Sequence, residues 1–593
     1  MHRREFLKRT ALAGSAAAFP ILGPGSAMSA AGSKITWHRD SQSGRFTGVS
    51  ADGASLVMQP EPGLLVASCR LAGASAGPSP LCMTVAHQLR DSGAGRGEDL
   101  LEATLTVHNA SDRPQRVVVD FATSVQPSPR VHEQRVYVPL SAAGLFGDGR
   151  FAALGVKNFL KDCDQAIGAE EFQCHYLEPM ASCPDQRETR ALLLAPVVDV
   201  NHPGASWRMA LFTPSEQPMR FGHRSGVWHA GRQVTVPAGG TVAQCCWLLI
   251  HAGNASVAWR AFHRFAHHEE FPAIGWAHAM KVHYYDFLSS AQGEHGRRGD
   301  GYEADLPQFR AFRVGMATQH GYYPAIGDFI HPDRKTWHAM RGDKQGAAEM
   351  SFEKLRSRIE AARSAGAKAA IYMHPACFDD AAPCFHALRD AVLVDASKRP
   401  MAYDWTGPDT VGKNWRASLG SPQWREHLLQ QAYWIMEILR PDAIVMDETF
   451  AGLAYDHHPD RAGPTSAGAI DFYRKLRRLV RSFGADKAFF TSDCSTSPFV
   501  LWADGECGDH AYPGLLGHPL YAQEPVRYLA ALGDKPWRPC AWDFQKMWPA
   551  QMKLARQVGA GVGVSNGWIQ YTGLTRFARD VKAKMLADIA TLR

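Results

Sequence analysis

Asp447 and Glu448 end the apolar run in segment 441–450, Pro-Asp-Ala-Ile-Val-Met-Asp-Glu-Thr-Phe. Carboxylates delivered over an apolar floor suit nucleophilic or acid/base chemistry, because burial and mutual repulsion separate their proton affinities. The same event recurs along the chain: candidate strand ends carry Asp286, Asp328, Asp447-Glu448, Asp493, the group Asp504, Glu506 and Asp509, and Asp543. One such acid serves equally well as a helix cap or an arginine's partner. Many around one mouth destabilise the fold and are better explained by chemistry. Asp447 is the leading catalytic candidate.

Aromatic side chains accompany the acids: Tyr284, Tyr285, Trp337, Trp405, Trp415, Trp502, Trp542 and Trp568. Carboxylates for proton transfer within walls that stack on sugar faces are what glycoside cleavage requires. His374, at the end of the third candidate strand, has the chemistry to bind a hydroxyl or a metal, although a lone histidine there is more often simply hydrogen-bonded. Asp286, Asp328, His374, Asp493, Trp502, Trp542, Asp543 and Asn566 are the expected substrate-binding residues, with Lys281, His283 and Arg538 as weaker candidates.

The elements that position these residues alternate between strand and helix from 275 to the end, the pattern of a parallel α/β arrangement. Candidate strands are 280–285, 322–329, 369–373, 443–446, 488–492, 499–503, 539–542 and 561–565. Eight is the number a closed (β/α)8 TIM-like barrel needs, and in such a barrel the strand ends share one mouth. Ser351 starts a helix whose stripe is Phe352, Leu355, Ile359 and Ala362; Ser421-Pro422 starts another. The fifth and sixth candidates are too close for a helix between them, so that unit is irregular or a strand is misplaced. An open doubly wound sheet is the rival fold, with no GxGxxG after the first strand to support it.

Residues 34–250 read differently, as short alternating strands. Leu101, Ala103, Leu105 and Val107 alternate with polar partners, 109–114 turn, and Val117, Val119 and Phe121 resume, which predicts a hairpin with one buried face. The stretch 233–250 repeats the scheme around Gly239-Gly240. An antiparallel β-sandwich is expected. A helical period follows over 255–270, with Trp259, Phe262 and Phe265 on one face. The predicted organisation is a signal peptide at 1–31, a β-sandwich at 32–254, a linker helix at 255–274 and a catalytic barrel at 275–593.

The signal is read from Arg3-Arg4, Phe6-Leu7 and the weakly apolar stretch that runs to about Leu22. This is the twin-arginine pattern, which implies export of a folded protein to a periplasm or beyond. At 593 residues at least two domains are expected. No later apolar stretch is long enough to span a bilayer. The formal charge of +6 includes four signal cations against one acid, leaving +3, which gives no hint of a nucleic-acid partner. Among 12 cysteines no spacing matches a zinc pattern. Cys163, Cys174 and Cys183, or Cys377 and Cys384, are possible bridge partners, and Cys245-Cys246 reads as buried small side chains.

The order sandwich, linker helix, barrel resembles the retaining α-glycosidases of the α-galactosidase (melibiase) and endo-α-N-acetylgalactosaminidase type. That resemblance implies that Asp447, ending the fourth strand, is the nucleophile, and that the acid/base comes from a later strand. Glu506 ranks first for that role because a Gly-flanked loop can bring it across the pocket, then Asp504, then Asp493. Typical α-galactosidases have lysine and tryptophan before the nucleophile where Val445 and Met446 stand here, so the resemblance does not carry the sugar. The expected reaction is a two-carboxylate, retaining cleavage of an α-linked sugar in an oligosaccharide or glycoconjugate, with no cofactor. The rivals are a metal-dependent hydrolase on the same barrel, which lacks a His-x-His at Val282-His283-Tyr284, and a carbohydrate-binding protein without turnover.

Overall fold

The computed structural model describes, with short gaps, residues 35–125, 135–137, 171–173, 197–286, 301–339, 349–449, 455–492, 498–507, 535–538, 548–565 and 574–592. The twin-arginine stretch, Cys163, Cys174, Cys183, Trp405, Asp493, Asp509, the expected strand 539–542 with Trp542 and Asp543, Asn566 and Trp568 lie outside the described residues.

The N-terminal part packs a six-stranded antiparallel sheet against a five-stranded one. Inward-facing Leu101, Ala103, Leu105 and Val107 from the first meet Val117, Val119 and Phe121 from the second, all fully buried. The alternation is as expected, but the pairing differs. Strand Glu98–Asn109 pairs with Leu81–Asp91 and Thr241–His251, whereas Gln115–Thr123 pairs with Val66–Leu71 and Val227–Val236. The turn at 109–114 and that at Gly239-Gly240 are therefore arches that cross between sheets, not hairpins. Period-2 alternation reports which face is buried and not which neighbour is hydrogen-bonded. Asn109 ties the two arches together, its amide donating to the carbonyls of Arg113, Val236 and Pro237 at 2.7, 3.2 and 3.0 Å.

Helix α1 (Ser256–Phe265) follows. Trp259, Phe262 and Ala258 pack onto Phe212, Trp247 and Leu249 of the six-stranded sheet, and Leu501 of the C-terminal part joins the same cluster. The next helix, α2 (Gly275–Ala279), leads into a parallel sheet in which seven strands follow one another: β1 (Val282–Asp286), β2 (Val314–Gln319), β3 (Lys368–Met373), β4 (Ala443–Met446), β5 (Ala488–Thr491), β6 (Gly505–Glu506) and β7 (Val562–Ser565). The order β6-β5-β4-β3-β2-β1-β7 curls the sheet. Segment 535–538 fills the gap between its ends, since Arg538 N donates to Glu506 O at 2.9 Å and Gly561 N to Trp537 O at 2.8 Å. The result is a TIM-like barrel in which, among the described residues, the seventh position holds a bridge at Trp537.

Two expected strands moved. The second is Val314–Gln319, and 322–329 is loop; the stretch 499–503 falls mostly in the 3-10 helix Pro498–Trp502, with the true sixth strand just after it. The marked helices form as expected. Ser351 Oγ accepts from Lys354 N at 3.1 Å to start α3 (Phe352–Ser364), which ends ahead of Gly366 at φ +91°. Ser421 and Pro422 start α4 (Pro422–Trp434). Helix α5 (Ser466–Ser482) covers β5. Cys377 and Cys384 are free thiols, not a bridge, and Cys246 is buried. No described helix is long and apolar enough to cross a membrane.

Candidate active site

Strand alternation and register divide the barrel residues into two faces. Met316, Ala370, Ala443, Val445, Ala488, Phe490 and Cys507 cluster inside, closed below by Ile274, Ala277 and Met280 around α2. Ile371, Met373, Ile444, Met446 and Phe489 face the covering layer, where Phe489 stacks on Tyr473 of α5 at 6.0 Å. One step beyond Val445 on the interior face comes Asp447, partly exposed at the mouth.

Two side chains and a backbone amide, from the ends of three strands, converge on it. Tyr372, near the end of β3, donates its hydroxyl to Asp447 Oδ2 at 2.8 Å. Ser492, next after β5, donates to Oδ1 at 2.8 Å. The backbone N–H of Glu448 donates to Oδ1 at 2.9 Å. Register produces this meeting: Met373 pairs with Met446 and Met446 with Thr491, so residues just past each strand end sit side by side. The Tyr372 ring is held by stacking on Tyr323 (5.8 Å, 18°) and by an edge contact with His320 at 4.1 Å. Tyr285 of β1 completes the wall, 5.8 Å from His320.

The expected residue His374 stands beside this group. Its Nε2 lies 3.6 Å from Glu448 Oε2, and its Nδ1 accepts from Ala376 N at 3.2 Å. Burial pushes His374 down to about 4 and His320 to about 3, although Asp447 pulls both the other way. Both imidazoles are neutral at neutral pH. Among the described residues, Asp447 is thus held by hydroxyl and amide donors and not by a cation. Glu448 accepts a hydrogen bond from the Tyr403 hydroxyl.

Several expected site residues are elsewhere. Asp504 precedes β6 and is committed to α5: its Oδ1 accepts from Arg477 at 2.8 Å and Arg481 at 2.6 Å, and its Oδ2 from Phe489 N at 2.9 Å. Trp502 packs in the same outer layer, 5.4 Å from His267 and with the Arg474 guanidinium 5.0 Å from its ring. Asp328 lies in the loop after β2, paired with Arg334 at 2.6 Å. Asp286 ends β1 as expected, but on the face of Tyr284, whose hydroxyl donates outward to Asp305. Glu506 is buried and registers with Thr491, so alternation sets it on the covering face, opposite Asp447 and Ser492. Of the weaker candidates, Arg538 holds the barrel floor through the carbonyl of Met280, Lys281 precedes β1, and His283 sits one layer below the mouth against Thr318 at 2.8 Å. Trp337 is core, donating to Tyr322 O.

Of the expected site residues, then, Asp447 and His374 come together. Tyr372, Ser492, His320, Tyr323 and Tyr403 join them unannounced by the sequence reading. Among the described residues no group of three or more His, Cys, Asp or Glu side chains is arranged to hold a metal ion.

The sequence matches no family model and no curated protein. Solved structures are more informative. The chain is similar in fold to GH36 alpha-galactosidases. It superposes on AgaB from Geobacillus stearothermophilus with a TM-score of 0.53 at 8% identity, over 94% of this chain and 74% of that one. AgaA from the same organism gives 0.52 at 8% identity, over 88% and 74%. At such identity the likeness establishes the sandwich-plus-barrel architecture.

Proposed function

We propose that this protein is a glycoside hydrolase that cleaves an α-linked galactoside, or a closely related α-linked sugar, with retention of configuration. The observation that carries the reading is Asp447 at the end of β4, its two oxygens fixed by Tyr372 and Ser492 in an aromatic-walled barrel mouth. Supporting it, the fold neighbour AgaA has been solved as variants in complex with raffinose and with 1-deoxygalactonojirimycin.

An Asp447 oxygen attacks the anomeric carbon as the bond to the leaving oxygen breaks, through an oxocarbenium-like transition state. A second carboxylic acid protonates that oxygen and then, as a base, activates the water that frees the sugar. Asp504 is tied to two arginines and Glu506 lies on the opposite strand face. Asp493, next after Ser492 in sequence, is the remaining acid/base candidate; retention asks that the two carboxyls lie about 5 to 5.5 Å apart. Export through the twin-arginine route belongs to the same proposal, motivated by Arg3-Arg4 and the stretch that follows.

A panel of α- and β-linked aryl glycosides, followed by NMR of the first-formed anomer, tests the reading. Cleavage of an α-galactoside to the α-anomer, lost in Asp447→Ala and in Asp493→Ala but kept in Glu506→Ala, is expected. Hydrolysis that survives Asp447→Ala and disappears with a chelator would point to the metal-dependent rival. Sugar binding without turnover in the parent would point to the binding protein.

A further inference from the structure

Glu448 stands next to the proposed nucleophile in an unusual backbone state. Its φ is +40°, in the left-handed region that disfavours a side chain. Such a conformation persists where its surroundings over-determine it. Here the Tyr403 hydroxyl donates to Glu448 Oε2, and His374 Nε2 approaches the same oxygen at 3.6 Å. Because His374 Nδ1 accepts from Ala376 N, the ring proton is on Nε2, the nitrogen nearer Glu448. Thr449, the next residue, is held too, its carbonyl accepting from Tyr473 at 3.0 Å.

The turn fixed in this way aims an N–H at Asp447. Oδ1 accepts two hydrogen bonds, from Ser492 Oγ at 2.8 Å and from Glu448 N at 2.9 Å, while Oδ2 accepts one, from Tyr372. We infer that Glu448 is a positioning residue: its side chain, held by the Tyr403 hydroxyl with His374 beside it, locks the left-handed turn that directs its amide to Asp447 Oδ1 and so selects Oδ2 as the attacking oxygen. The inference rests on the nucleophilic role proposed for Asp447. A lone pair of Oδ2 forms the bond to the anomeric carbon while the electron pair of the breaking bond goes to the leaving oxygen, which takes the acid's proton. Oδ1 becomes the ester carbonyl and keeps both donors, whereas Oδ2 gives up one.

The test uses the full-length protein and the aryl glycoside that the parent cleaves, with Tyr403→Phe, Glu448→Gly, Glu448→Gln and Asp447→Ala compared. Glycine permits the left-handed backbone but cannot be clamped; glutamine still offers Tyr403 an acceptor. Tyr403→Phe and Glu448→Gly are expected to keep circular dichroism and KM near the parent's while kcat falls roughly 10- to 100-fold, as for a slightly misaligned reacting group. Glu448→Gln should recover most of that loss. Parent-like kcat in Tyr403→Phe and Glu448→Gly, with Asp447→Ala inactive, would overturn the positioning role and leave the nucleophile standing. Glu448→Gln no better than Glu448→Gly would also overturn it, by assigning the effect to charge. Parent-like activity in Asp447→Ala would instead remove the reading beneath. Should Glu448→Gly fail to fold, Tyr403→Phe alone decides.

Discussion

The place of Asp447 at a strand end was legible in the sequence because a four-residue apolar run followed by an acid is the linear trace of a buried strand opening at its end. Its partners were not. Tyr372 and Ser492 meet it through the register of three strands far apart in the chain, and a hydroxyl at a strand end leaves no periodic mark. Glu506 and Asp504 looked alike as neighbours on one acidic stretch. Two positions along an extended chain, one is in register with the site's strands while the other precedes its strand and meets the covering helix. The hydroxyl bonds to Asp447 give a kinetic expectation. Tyr372→Phe removes the hydroxyl that orients Oδ2 and should lower kcat by about 10- to 100-fold, as for a slightly misaligned reacting group. Steady-state kinetics on the cleaved aryl glycoside checks this; an unchanged kcat would mean that Tyr372 serves packing only.

Strands β3, β4, β5 and β7 were read at nearly their true positions, each a short apolar run between a helix end and polar residues. The second strand was missed because Val-Gly-Met-Ala-Thr-Gln has weak β character, while the aromatic loop after it looked more like a strand. That error hid His320, which immediately follows β2. The run Phe-Val-Leu-Trp at 499–502 illustrates a related limit, since apolar content does not separate a short helical turn from a strand. Its consequence was to promote Asp504 to the mouth. The structure instead makes Asp504 the ion-pair partner of α5, buried with Arg477 and Arg481. Asp504→Ala leaves two buried guanidinium groups without it and is expected to destabilise the protein by about 3 to 5 kcal/mol. Urea unfolding measures this. The surviving folded fraction should turn over substrate at the parent's kcat, and a selective loss of kcat without loss of stability would return Asp504 to the chemistry.

Sandwich, α1 and barrel form one continuous construction, in which aromatic residues of α1 seal onto the six-stranded sheet and Leu501 joins their cluster. The sandwich-plus-barrel class followed from the switch in period along the chain; the crossing arches did not, because they depend on which sheet each strand joins. Buried histidines link this interior to pH. Burial lowers His283 and His320 to about 3 and His374 to about 4, from an ordinary 6.5. The unfolded chain therefore takes up protons first as pH falls, so their contribution to stability is complete above about 6.5 and is lost progressively toward pH 4 and below. Tm measured from pH 7.5 down to 4.5 should fall steadily, and a flat profile would contradict neutral burial of these rings. The proposed export gives a second expectation: Arg3→Lys with Arg4→Lys should retain the folded protein in the cytoplasm of a host with a twin-arginine pathway, as read by fractionation. Efficient export of that variant would reject the route.

The most direct test of the central claim is chemical rescue of Asp447→Gly with azide on an aryl α-galactoside that the parent cleaves. Without a nucleophile on the protein, azide should enter from the face Asp447 occupied and yield the β-glycosyl azide, with turnover rising with azide concentration. Parent-like hydrolysis by Asp447→Gly without azide would contradict the assignment of Asp447 as the nucleophile.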